Sequence, residues 1–200
     1  MRSKSLNFSR PLPGSFYLKP TLDVARNLIG KILVRRYRGS HLAGIIVEVE
    51  AYHGFDDMAS HAYGRRTGRN AIMYSQGGIA YVYFIYGMYH CLNVVTEREG
   101  YPAAVLIRAL EPVAGIPAMQ RLRGTTDLHN LTNGPGKVCM ALHLTRKENG
   151  ISFGSKELSI VPGEIIPPES IATSLRIGIS RSAEYQWRFF LKGNRSVSHR

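Results

Sequence analysis

The patterning of apolar residues predicts an α+β protein, a single domain whose mostly antiparallel β core is flanked by helices and carries a protruding β-hairpin. Three observations carry this expectation. Residues 43–52 alternate with a period of two. Residues 79–86 and 89–96 are β-patterned runs on either side of Gly87. Short helical patterns stand at 21–30, 113–122 and 134–144. With 200 residues and 44% hydrophobic content, the chain can bury one full core spanning 1–200.

Residues 1–15 are polar with Pro11 and Pro13, which predicts a loose arm. Thr21 is placed as the cap of a helix whose apolar face is Val24, Leu28 and Ile29 and whose end is Gly30. Strands follow at 31–38 and 43–52, separated by Gly39-Ser40. In the second, Ala43, Ile45, Val47, Val49 and Ala51 are expected on one face, with Ile46, Glu48, Glu50 and Tyr52 on the other. Residues 53–78 lack periodicity and read as a long loop, a length uncommon unless the loop has a function. After the hairpin, a strand at 103–110 is expected to stop at Glu111-Pro112. Helices follow at 113–122 and at 134–144, the latter begun by Asn133 with Pro135 in its first turn. The tail contributes a strand at 175–179 and an aromatic closing segment at 187–191.

Charge narrows the partner. Lys and Arg number 26 against 14 Asp and Glu, a formal net charge of +12. Apart from Arg65-Arg66-Thr67-Gly68-Arg69 the charge is dispersed, which implies a basic face and nucleic acid as the leading partner. An anionic membrane surface, or solubility alone, also accommodates such a charge. No window approaches 18 uninterrupted apolar residues, and residues 1–10 lack the apolar stretch of a signal peptide. A soluble cytoplasmic monomer without a membrane partner is expected. Cys91 and Cys139 sit in apolar surroundings and read as small buried hydrophobes, with no disulfide.

The chemistry-bearing candidates are few. Glu50 shares a strand face with Tyr52, so a carboxylate and a phenol point the same way, an arrangement suited to a general base. Glu48 has the same pattern, and a solvated strand face explains both equally. The segment 81–89 places four tyrosines in nine residues. Such rings serve sheet packing or base stacking, and Tyr86, just before Gly87, stands at the hairpin tip where a ring can wedge between base pairs. Arg108 on a strand otherwise apolar either has a carboxylate or water-network partner or faces solvent. Asp56, Asp57 and His61 could be ligands of a nuclease metal, but no established ligand spacing accompanies them, and no metal is expected. Gly134-Pro135-Gly136-Lys137 only loosely resembles a phosphate loop; backbone N–H groups at that helix start suit a nucleic-acid phosphate.

Five strings taken together, in order and spacing, resemble the alkyladenine DNA glycosylases, the 3-methyladenine glycosylases of mammalian type. They are Glu48-Val49-Glu50-Ala51-Tyr52, Ala59-Ser60-His61, the run from Tyr81 to Asn93, the run from Val105 to Pro112, and Asn133-Gly134-Pro135-Gly136-Lys137. The likeness covers about residues 22–198. It implies a cofactor-free enzyme that flips alkylated or deaminated purines out of double-stranded DNA and hydrolyses the N-glycosidic bond. By resemblance, Glu50 activates the water and Arg108 helps hold it, while Tyr52, His61 and Tyr83 wall the base pocket. Asn93 and Leu106 shape its floor, Tyr86 fills the gap left by the flipped nucleotide and Met73 contacts DNA; the basic run adds Arg69, and the 134–137 helix start Gly134 and Lys137, as expected DNA contacts. His53 and His90 depart from the apolar residues of the mammalian pattern, and the missing N-terminal extension suggests a bacterial member.

Overall fold

A computed structural model describes residues 7–198. Eight strands form one antiparallel sheet: β1 (Ile32–Tyr37), β2 (Ser40–Tyr52), β3 (Ala80–Ile85), β4 (Tyr89–Val95), β5 (Ala104–Ala114), β6 (Leu158–Val161), β7 (Ile171–Ser174) and β8 (Arg188–Leu191). The principal order is β3-β4-β5-β2-β1-β6, with β8 pairing both β2 and β7. Helices α1 (Gly14–Tyr17), α2 (Thr21–Leu28), α3 (Ile116–Arg123) and α4 (Pro135–Ala141) flank it. The main core gathers α2 (Val24, Leu28), α4 (Val138, Cys139) and the inward residues of β2, β4 and β5. The α+β class with an antiparallel core is therefore as expected.

Several local expectations give way to tertiary contacts. Residues 1–6 of the expected loose arm lie outside the described residues, but from Leu12 the chain is docked. Its amide donates to Ile160 O at 2.8 Å and its side chain packs on the core. Thr21 is the first helical residue of α2 and not its cap. The open N–H of Thr21 donates to Glu97 Oε1 at 3.0 Å, so a distant carboxylate satisfies the helix start.

The single apolar face expected for β2 is divided. Ile46, Val49 and Ala51 belong to the main core, whereas Ala43 and Ile45 pack with Ile32, Val34 and Val161. Pairing with β5 is irregular around Glu48, and there the inward parity changes. At the same point β2 gains β8 as a neighbour, Glu48 opposite Phe190 and Glu50 opposite Arg188.

Pro112 does not end β5. A register shift after Ala43–Ala114 passes to Gly44–Pro112, leaving Val113 as the extra residue, and the strand continues to Ala114. Gly44 is required at this crossing, since a Cβ there would stand 2.8 Å from Leu110 Cβ. As β5 runs on, α3 begins at Ile116 rather than 113, while α4 covers only Pro135–Ala141 of the expected 134–144. Residues 175–179 form a loop after β7, not a strand, and the aromatic segment 187–191 supplies β8. Residues 71–74 of the long loop form a 3₁₀ turn. No helix among the described residues is long and apolar enough to cross a membrane.

Candidate active site

Four adjacent strands assemble the site in register. Glu50 on β2 lies opposite Leu106 on β5, Leu106 opposite Asn93 on β4, and Asn93 opposite Tyr81 on β3. Cross-strand partners share a face, and so do residues two apart along a strand. Tyr52, Arg108, Cys91 and Tyr83 therefore join that row, and a cleft of about 360 Å³ opens above it. Its lining includes Tyr52, His61, Tyr83, Asn93, Leu106 and Arg108, with Tyr86, Pro135 and Ile177 on other sides. The five residues expected to form the base pocket, and Arg108, expected to help hold the water, thus line one cavity.

Glu50 is 0% exposed and lies behind this lining. Its Oε2 accepts from Tyr52 Oη at 3.0 Å and from Arg108 Nη1 at 3.2 Å, while Oε1 accepts from the Ile177 amide at 2.7 Å. Burial, and then the Glu50 charge, push the Tyr52 phenol well above its ordinary value, so it stays a donor. Burial opposes the Arg108 charge, yet Glu50 and Glu48 together hold that guanidinium above its usual range. The solvated-face reading of Glu48 and Glu50 is thereby overturned for both, since each is fully buried and bonded to arginine. Uncompensated carboxylates would not be buried in an apolar sheet.

The aromatic wall is held from the long loop. His61 Nδ1 lies 2.9 Å from Tyr81 Oη, and its ring meets Tyr83 edge-on at 4.5 Å between centroids. Burial, aided by the charge of Arg69, lowers the His61 pKa to about 4. Asn70 anchors the loop by donating to His61 O at 2.7 Å and Arg65 O at 3.0 Å. Exposed Arg69 covers the Tyr83 ring at 5.5 Å. Burial raises the Cys91 thiol, which therefore stays protonated.

At the tip of the β3–β4 hairpin, Tyr86 is 77% exposed and has φ 54°, followed by Gly87 at φ 68°. Two successive positive φ values match the twist of a tight hairpin and thrust the ring outward. Met73, expected to contact DNA, stands on the 3₁₀ turn Ala71–Tyr74. The 3₁₀ turn directs its side chain inward, where it is 2% exposed against Tyr81 and Ala104 and lines the cleft. Gly134 precedes α4, and Lys137 Nζ donates to Asn130 Oδ1 at 2.5 Å and to Asn133 Oδ1 at 2.8 Å. Neither residue lines the cleft, whereas Pro135 between them does.

The nuclease ligand set dissolves because Asp57 is engaged elsewhere. Its carboxylate accepts from Arg176 Nη1 at 2.5 Å and Nη2 at 2.8 Å, while Asp56 is exposed. Arg176 was not foreseen as a site residue. It donates also to Ala51 O at 2.9 Å and Ser182 O at 3.0 Å, and it lies over the Tyr52 ring at 4.8 Å. It thus binds the 175–182 loop to the end of β2, beside the Ile177 amide that meets Glu50. A lone charge within Leu175-Arg176-Ile177-Gly178-Ile179 was its only sequence signal. Ser198 and Arg188, both bonded to Glu48, had no such signal.

A family model described as methylpurine-DNA glycosylase matches residues 15–195. A Clostridium acetobutylicum protein named "Putative 3-methyladenine DNA glycosylase" is 46% identical, over 92% of this chain and 95% of its own length. A Bacillus cereus protein of the same name is 49% identical, over 93% of this chain and 98% of its own. A Bacillus anthracis counterpart is 48% identical with the same coverage. The chain accordingly belongs to the methylpurine-DNA glycosylase family, hydrolases acting on N-glycosyl bonds.

Proposed function

We propose that the protein rotates an alkylated purine nucleotide out of duplex DNA, seats the base in the aromatic cleft, and hydrolyses its N-glycosidic bond with a water activated by Glu50. The observation that carries this reading is the buried carboxylate at the foot of the cleft, fixed by Tyr52, Arg108 and the Ile177 amide. Attack of water oxygen at the sugar C1′ breaks the bond to the purine nitrogen. The bonding pair leaves with the base, and the water proton passes to the carboxylate. A neighbouring anion also stabilises the positive charge that develops on the sugar.

Substrate choice follows from the walls. With its pKa near 4, His61 is neutral at pH 7 and does not repel a cationic base such as 3-methyladenine or 7-methylguanine. Tyr52 and Tyr83 offer π faces to that charge, an attraction of about 0.5–2 kcal/mol. Neutral hypoxanthine or ethenoadenine gains no such term and depends on hydrogen bonds within the cleft. Asn93 is fixed by its bond to Tyr81 O at 3.1 Å, which suits it to exclude bases of the wrong outline. Unstacking the nucleotide costs a few kcal/mol, which insertion of the exposed Tyr86 ring helps offset. No lysine stands among the described cleft-lining residues to form an imine with the sugar, so the expected product is an unbroken abasic strand.

The test is single-turnover release of 3-methyladenine from methylated duplex DNA with excess enzyme and EDTA present. Glu50→Gln should slow release by about 10²–10⁴-fold while binding to lesion DNA persists. Release at the wild-type rate would overturn the assignment of Glu50.

A further inference from the structure

A second buried carboxylate lies behind the first. Glu48 is 0% exposed, and its Oε1 accepts from Arg108 Nε at 2.9 Å, Arg188 Nε at 2.7 Å and Ser198 Oγ at 2.8 Å. Its Oε2 accepts from the Ser198 amide at 2.6 Å. Arg108 is thus shared by two carboxylates, using Nε toward Glu48 and Nη1 toward Glu50, with Nη2 3.4 Å from Ser198 Oγ.

A guanidinium is a rigid plane, so fixing one edge sets the direction of the other. The irregular pairing of β2 with β5 around Glu48 brings Glu48, Glu50 and Arg108 together in a stretch where regular pleating would simply repeat. Arg188 balances the charge, so two carboxylates face two guanidinium groups. It is held in turn by Ser174 Oγ at 3.0 Å and Ser198 O at 3.3 Å. Four hydrogen bonds of 2.6–2.9 Å to a fully buried carboxylate are not what a solubilising charge would make.

We propose that Glu48 is a positioning residue, and that with Ser198, near the end of the chain, it aims Arg108 at Glu50 and so sets the rate of base release. This rests on the reading of Glu50 as the water-activating group. Removing the Glu48 charge leaves Arg108 free to turn its plane, and Nη1 no longer locates Oε2. Ser198 closes the arrangement from the far end of the sequence, which makes the C-terminal segment part of the catalytic support.

The test compares Glu48→Gln, Ser198→Ala, Arg108→Gln and Glu50→Gln in single-turnover release at saturating enzyme, with lesion-duplex affinity and melting temperature measured alongside. Glu48→Gln is expected to slow release at least tenfold in the folded protein with affinity within about twofold of wild type. Combining it with Arg108→Gln should cost little beyond Arg108→Gln alone, a non-additivity that a purely structural role would not produce. Should Glu48→Gln fail to fold, Ser198→Ala decides, with release slowed severalfold at an unchanged melting temperature. Wild-type release by a folded Glu48→Gln protein, additive losses with Arg108→Gln, or wild-type release by Ser198→Ala where Glu48→Gln does not fold would overturn the proposal. If Glu50→Gln itself releases base normally, it is the assignment of Glu50 that fails.

Discussion

At His61, burial and the charge of Arg69 act in the same direction and hold the imidazole at a pKa near 4, against an ordinary 6.5. The sign of the consequence is fixed. Between pH 6.5 and 4 the unfolded chain takes up a proton that the folded chain refuses, so stability falls as the pH is lowered through that window and levels off below it. The effect amounts to at most about 3 kcal/mol. Urea titrations across this range should therefore show a smaller loss of stability in His61→Asn than in the wild type, and equal losses would refute the burial of a neutral ring. Other single residues were less legible. Glu48 and Glu50 are indistinguishable by alternation, and of the carboxylate, water or solvent that the sequence left open for Arg108, the fold supplies both carboxylates, each fully buried.

Among the elements, the β3–β4 hairpin and the 175–182 loop differ in how they place their residues. The hairpin is locally encoded: Gly87 takes one positive φ easily, but Tyr86 holds φ 54° at a cost of order 1 kcal/mol. Replacement by Gly should relieve that strain and, after the greater entropy of its unfolded chain, raise the melting temperature by up to roughly 2–4 °C. Tyr86→Ala should bring no such gain. Both variants should weaken the fluorescence response of a flipped base analogue, because both lose the ring. A Gly variant that flips as well as wild type would remove the wedge role. The 175–182 loop has no local code. Its apolar residues suggest a strand, but the Arg176–Asp57 ion pair, 119 residues apart in sequence, draws it into a loop. Asp57→Ala leaves that guanidinium unpaired in the interior and should cost about 3–5 kcal/mol, measured as a lowered urea midpoint. An unfolding free energy within about 0.5 kcal/mol of wild type would show that the pair does not tether the loop.

On the scale of the whole molecule, a net charge of +12 makes binding to undamaged duplex strongly salt-dependent. The slope of log affinity against log salt should be several units, and Arg69→Gln should reduce it by about one. Anisotropy titrations at a series of KCl concentrations check this, and a flat salt response would argue against phosphate contacts. The alternation of β2, the hairpin flanking Gly87 and the charge balance were determined by the sequence alone, because each depends on side-chain period, turn conformation or summed charge within short stretches. The tertiary structure alone decided the parity change at Glu48, the continuation of β5 past Pro112, and the capture of Asp57 by Arg176 and of Glu48 by Ser198. The first two arise from the register of two distant strands and the captures from buried polar groups satisfying one another across more than a hundred residues, and no local pattern records which distant partner a strand or a buried charge will find.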